Sequence, residues 1–134
     1  SEPKCLSRPL YGFENTEHTI NNEGPYAFYY HNKIYLAYSG GDARGYLYAI
    51  GMLTANDGDD LCDLSVWEKA KTPIASFATI PGEYGHNSFF WDRDQNLWIA
   101  YHAVTSFEEK IVSSGMRRVY FEQDKTPRFD VIVE

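Results

Sequence analysis

The sequence predicts an all-β fold in which one four-stranded antiparallel unit is used twice. Three observations carry this. Aromatic residues are plentiful, with 11 Tyr, 8 Phe and 3 Trp in 134 residues, and aromatic-rich chains with short apolar runs favour strands. The chain also repeats itself: Glu23 to Ser39 reads EGPYAFYYHNKIYLAYS and His86 to His102 reads HNSFFWDRDQNLWIAYH, at an ungapped offset of 63. Turn residues punctuate both copies at matching places, His31-Asn32 in the first and Asp94-Gln95-Asn96 in the second.

Taken in order, residues 1–20 are polar and irregular, with Pro3, Pro9 and Gly12, and read as a connecting segment. Residues 21–134 read as one domain of two units, 21–80 and 81–134. The first unit is expected to hold strands at about 22–30, 33–39, 46–54 and 73–77, with Trp67 just before the last. The second is expected to hold strands at about 86–92, 96–103, 115–122 and 127–133. The offset of 63 pairs Tyr26 with Phe89, Phe28 with Trp91, and Tyr38 with Tyr101. A second match, at an offset of 54, sets Trp67-Glu68 and Lys71-Thr72-Pro73 against Phe121-Glu122 and Lys125-Thr126-Pro127. Four-stranded units repeated at this spacing suggest propeller blades. A two-sheet sandwich made by duplication is the alternative. Tyr29, Tyr35, Phe90 and Trp98 are expected mostly in the core.

Composition excludes several function classes. A formal net charge of −7 argues against nucleic acid and against an anionic membrane surface, because phosphate contacts need clustered Lys and Arg. A neutral ligand is compatible with it. No apolar run reaches the length of a membrane-spanning helix, and Ser1-Glu2-Pro3-Lys4 does not read as a signal peptide. Cys5 and Cys62 fit no metal spacing, and reduced thiols are the default. The compartment stays open between secreted and cytoplasmic.

The chemistry is expected around Asn22-Glu23-Gly24-Pro25. Gly24 relieves crowding and Pro25 fixes its own φ, so Glu23 is presented from the start of a largely apolar strand. A carboxylate at the edge of an aromatic surface suits a general acid; the plainer alternative is a surface Glu before a turn. In a propeller the innermost strand of each blade lines the channel, and the same offset matches Glu23-Gly24-Pro25 with His86-Asn87-Ser88. Glu23 and His86 are therefore expected to share a pocket. His86, after the turn Gly82-Glu83-Tyr84-Gly85, could equally be a metal ligand, a substrate contact or a hydrogen-bonded core histidine. Asp57-Gly58-Asp59-Asp60 reads as a solvated turn, and Asp92 and Asp94 as turn formers. Arg117-Arg118 puts one guanidinium on each face of a strand, with a solvated surface pair as the alternative. There is no G-x-S-x-G, H-E-x-x-H or phosphate loop.

These motifs, with Asn32-Lys33-Ile34-Tyr35-Leu36-Ala37-Tyr38-Ser39, Gly51-Met52-Leu53-Thr54, Trp67-Glu68-Lys69, Gly85-His86-Asn87-Ser88-Phe89 and Trp98-Ile99-Ala100-Tyr101-His102, resemble glycoside hydrolase family 43. The likeness runs from about Ser7 to Phe129 and leans towards the α-L-arabinofuranosidases. It implies two blades, the last two, of a five-bladed β-propeller in an inverting glycosidase of arabinose- and xylose-containing polysaccharides. By resemblance Glu23 matches the general acid, His86 the histidine that binds a central calcium or other ion directly or through water, and one of Arg117 and Arg118, Arg117 being favoured, an arginine that contacts substrate; Asn22 and Asn87 beside them are candidate substrate contacts. The family's catalytic-base Asp, and a second Asp that tunes the acid, have no room before Glu23. The usual Gly-Pro is Glu83-Tyr84, and the closing Asp-Gly is Asp124-Lys125. An inverting reaction needs two carboxylates, so the chain is expected to depend on missing N-terminal blades or to self-associate. A non-catalytic carbohydrate-binding or structural piece is the alternative.

Overall fold

A computed structural model describes residues 2–16, 18–76, 85–106, 108 and 111–131. Among these the chain is built from antiparallel strands and two short 3-10 turns. The leading segment holds a 3-10 turn at Gly12–Glu14 and the small pair β1 (Asn15–Thr16) and β2 (Thr19–Ile20). The first sheet then runs β3 (Asn22–Tyr30), β4 (Lys33–Gly40) and β5 (Ala49–Asn56), with β6 (Glu68–Lys69) and β7 (Ala75–Ser76) both pairing with β5. The fourth strand of this blade is thus made in two pieces. In the second sheet β8 (Gly85–Trp91), β9 (Leu97–Ser106) and β10 (Ile111–Arg118) lie in order. Val119 N–H donates to Leu97 O at 2.8 Å, so the third strand runs on into β11 (Tyr120–Phe121), which pairs with β12 (Pro127–Arg128). The third strands differ from expectation: β5 starts at Ala49 and β10 already at Ile111.

Turn chemistry fixes the hairpins. His31 and Asn32 take φ of +46° and +64° between β3 and β4, the left-handed pair a two-residue hairpin needs. Asp92 closes the β8–β9 turn, accepting from the Asp94 and Asn96 N–H groups, the Asn96 side chain and Trp98 Nε1. Those donors, Trp98 foremost, hold its pKa down at about 2. Asp59 and Asp60 accept from the N–H groups of Asn56 and Cys62 as solvated turn residues. Cys5 and Cys62 are exposed free thiols.

The two sheets stack face to face through aromatic rings. Phe28 lies 4.6 Å from Phe89 and stacks on Tyr35 at 5.0 Å, while Tyr30 stacks on Phe121 at 3.6 Å. Around them Ala37, Ile50, Met52, Leu97, Ile99, Val119 and Phe129 are buried. Offset aromatic contacts of this kind add to the area they bury. Tyr35 is in this core, 2% exposed, but Tyr29 and Phe90 are 49% and 43% exposed and Trp98 is half-buried. The reason is the stacking itself. Alternate residues point to opposite faces, and each blade offers one face to its described neighbour and turns the other outward. Tyr29 sits on the outward face of the first sheet, and Phe90 and Trp98 on that of the second.

Backbone register also revises the repeat. Ala37 pairs with Tyr26, and its counterpart Ala100 pairs with Ser88, 62 residues beyond Tyr26. The offset is 63 on the second strand but 62 on the first, so Phe28 corresponds to Phe90. Each innermost strand carries a bulge, between Glu23 and Tyr26 and between Gly85 and Ser88. Glu23 therefore corresponds to Gly85, and Gly24 to His86.

Candidate active site

The site forms where the innermost strands of the two blades start. At the bulges Gly24 and His86 have φ of +56° and +46°, the left-handed conformation that bulge residues adopt. A Cβ added at Gly24 would lie 3.5 Å from the His86 ring, so the imidazole lies over the backbone next to Glu23. As equivalent channel positions the two residues are expected to share a pocket; the His86 ring instead neighbours Gly24, the residue after Glu23, across the blade interface, and Glu23 and His86 border two different cavities. Gly82 to Tyr84, the turn expected before them, lie outside the described residues.

Glu23 is half-buried and pairs with Ser39 in the β3–β4 ladder. Among the described residues its carboxylate takes one hydrogen bond, from Tyr48 Oη to Oε1 at 2.7 Å. Tyr48 is fully buried at the entry to β5. Its ring occupies the space in front of Gly85, where a Cβ would stand 1.7 Å from Cε1. Burial first, and the Glu23 carboxylate as well, push the Tyr48 pKa up against the Ser39 hydroxyl and the His86 N–H. The phenol is therefore a permanent donor. Ser39, also fully buried, accepts from His86 N–H at 2.6 Å. Tyr48 and Ser39 tie the two blades to Glu23, and sequence reading missed both. The only signal for Tyr48 was its place just ahead of an apolar strand.

Asn22 adjoins Glu23, but its Nδ2 donates to Glu14 Oε1 and to Asn21 O, both at 2.9 Å. Glu14 is the third residue missed. Its carboxylate, fully buried, takes hydrogen bonds from Leu10 N–H at 2.7 Å, Tyr11 N–H at 2.8 Å and Tyr38 Oη at 2.8 Å, and pairs with Lys69 Nζ at 2.5 Å. Burial works to raise its pKa, but Lys69, the Tyr11 N–H, Asn22 and Tyr38 bring it down to about 2. Asn22, Glu23 and Pro25 line a cavity of about 250 Å3 beneath Lys4, Leu6 and Ser7. His86 is exposed and opens on another of about 460 Å3 with Ser88, Tyr101, His102, Ser113 and Ser114.

Asn87 is 4% exposed, and among the described residues neither polar atom of its amide has a hydrogen-bond partner. Arg117 is not brought to Glu23. It pairs with Ile99, three residues along β9 from His102, the partner of Gly85, and its Nε donates to Tyr101 Oη at 3.3 Å. Arg118 is exposed and lies over the Tyr120 ring at 5.0 Å. Among the described residues no three His, Cys, Asp or Glu side chains are grouped to hold a metal ion.

Residues 4–127 match the family described as Glycosyl hydrolases family 43. The chain belongs to that family. An "Extracellular exo-alpha-(1->5)-L-arabinofuranosidase" of Streptomyces chartreusis is 36% identical over 101 residues, 73% of this chain and 30% of that protein. An "Alpha-L-arabinofuranosidase B" of Pyricularia oryzae is 27% identical over 136 residues, 94% of this chain and 28% of that protein. The crystal structure of an alpha-L-arabinofuranosidase from Lactobacillus brevis superposes with a TM-score of 0.81 at 30% identity. That superposition covers 92% of this chain and 41% of the other. The chain thus spans about 30% of the length of these curated relatives. The family 43 chain is all-β, and its two stacked antiparallel sheets match part of a family 43 propeller.

Proposed function

We propose that this chain is the acid-bearing, C-terminal part of a glycosidase that cleaves α-L-arabinofuranosyl (or β-xylosyl) linkages of plant polysaccharides with inversion, Glu23 being the general acid. The observation that carries the reading is the Glu23 carboxylate itself. It stands at the mouth of the innermost strand with one oxygen held by Tyr48 and the His86 ring packed against the next residue. A general acid must be fixed within hydrogen-bond reach of the leaving oxygen. Glu14, the other carboxylate near this end of β3, is saturated by donors and paired with Lys69, which suits a structural role.

In an inverting reaction the acid protonates the leaving oxygen while a second carboxylate activates water on the opposite face of the sugar. That base is assigned to the further length that the relatives span. Asn87 is proposed as a substrate or water contact, because buried amides are as a rule hydrogen-bonded. Asn22 is proposed to border the substrate through its backbone, since its amide is held by Glu14. Arg117 and His86 are proposed as outer contacts. A calcium ion prefers six to eight oxygen ligands, and among the described residues no acidic group of three stands beside His86, so no step is routed through an ion. The test is hydrolysis of aryl α-L-arabinofuranoside against aryl β-xyloside by the intact enzyme, with proton NMR of the first-formed anomer. Turnover with net retention, or full activity in Glu23→Gln, would overturn the proposal.

A further inference from the structure

We propose that Tyr48 is the positioning residue of the acid, holding Glu23 Oε1 so that Oε2 carries the catalytic proton and faces the leaving oxygen. The inference rests on the reading of Glu23 as general acid and extends it to the group that orients it. A protonated carboxyl has one carbonyl oxygen, which accepts, and one hydroxyl oxygen, which donates. A donor fixed on Oε1 makes that oxygen the acceptor and assigns the proton to Oε2. Tyr48 Oη is such a donor, 2.7 Å from Oε1.

Three features make Tyr48 more than a passing contact. Its side chain is fully buried, so the hydroxyl cannot turn to water instead. The ring lies where Gly85 has no side chain, so the first strand of the second blade is shaped around it. Ser39, opposite Glu23 in the ladder, bonds the Tyr48 hydroxyl and accepts from His86 N–H, which fixes the phenol from the far side. The bond order of the step is then defined. Oε2–H passes its proton to the glycosidic oxygen as the C1–O bond breaks and its electron pair stays on that oxygen. Water adds to C1 from the opposite face, losing its proton to a carboxylate base supplied by the rest of the enzyme.

The experiment uses leaving groups of different quality, since only poor ones need the proton. In the intact glycosidase, Tyr48→Phe is expected to lower kcat roughly 10- to 100-fold on an arabinosyl disaccharide, part of the 10²–10⁴ a general acid contributes. KM should be unchanged and kcat on a dinitrophenyl arabinofuranoside nearly so. Glu23→Ala should show the same selectivity more strongly, and Tyr29→Phe, whose hydroxyl bonds Asn32 and Asp57 on the opposite face of the sheet from Tyr48, should show no loss. Selective loss in Glu23→Ala but not in Tyr48→Phe overturns the Tyr48 assignment alone. Absence of selectivity in both brings down the acid reading and this inference with it. In the 134-residue chain itself, the Tyr48 hydroxyl proton should be a slowly exchanging NMR resonance with a cross-peak to the Glu23 side chain. A hydroxyl proton in free exchange with water also overturns the assignment.

Discussion

The His86 imidazole packs on Gly24, 3.5 Å from where a Cβ would stand, and these two residues are the same bulge position in consecutive blades, with φ of +46° and +56°. The relationship predicts unequal costs for adding one methyl group. Gly24→Ala meets the ring at ordinary contact distance, so its cost is the left-handed backbone alone, about 1–2 kcal/mol. Gly85→Ala places its Cβ 1.7 Å from the Tyr48 ring, which is buried and cannot move aside freely. Thermal denaturation should therefore rank Gly85→Ala well below Gly24→Ala, and both below wild type. Equal melting temperatures for the two variants would contradict the placement of Tyr48.

Glu14 predicts a pH dependence of stability. Its pKa is lowered from 4.5 to about 2 in the folded chain, so the folded state favours the ionised form. The resulting stabilisation is complete above about pH 4.5 and is lost as pH falls through about 2. It is worth about 3 kcal/mol at 1.36 kcal/mol per pH unit of displacement. Glu14→Gln should flatten the melting-temperature profile between about pH 4.5 and 2, and at pH 7 it should cost about 3 kcal/mol, because Lys69 loses its carboxylate partner while keeping its hydrogen bond to Arg8 O at 2.7 Å. An unchanged acid limb in that variant would show that Glu14 does not carry the effect.

Most strands were legible because periodicity and turn chemistry agree there. Asn22–Tyr30 and Lys33–Gly40 follow from alternating aromatic residues closed by His31-Asn32. The one-residue change of offset was not legible, since a repeat read from identities cannot tell which strand absorbs an extra residue. That shift turns Phe90 to the outside and sets Gly24, not Glu23, opposite His86. Glu14 was hidden in an irregular segment because its burial depends on Lys69 and Tyr38, remote in sequence. Tyr48 was hidden for a similar reason: the space it fills belongs to Gly85. The place of Glu23 at the start of an innermost strand was legible from its local setting, while the hydroxyl that bonds it comes from just ahead of β5.

The 134-residue chain alone is predicted to have no glycosidase turnover. An inverting reaction needs a base as well as an acid, and the carboxylate of Glu14 is committed to Lys69 and four hydrogen bonds. Assays of the purified chain on aryl arabinofuranoside should give background rates. Turnover that disappears in Glu23→Gln would mean that a base acts from within the chain.

The purified chain is also predicted to self-associate. A blade buries both of its faces against neighbours. Here the leading segment covers part of the outward face of the first sheet, where Tyr38 and Leu53 are buried beside Glu14, while that of the second sheet carries exposed aromatic residues. On the outward side of the second sheet Phe90 stacks on Trp98 with ring centres 6.5 Å apart, and Met116 beside them is 64% exposed. On that of the first sheet Tyr29 is 49% exposed. Exposed aromatic and Met side chains grouped on one face favour association, and repeat arrays without capping units tend to associate. The net charge of −7 opposes association without covering the patch. Two-fold pairing is the commonest closed arrangement, so a dimer is the expected species. Sedimentation equilibrium over a range of concentrations should show it, and Phe90→Ser with Met116→Ser should shift the population towards monomer by weakening the outward face of the second sheet. If the chain stays monomeric at high concentration and binds no hydrophobic dye, that face is not sticky and the prediction fails.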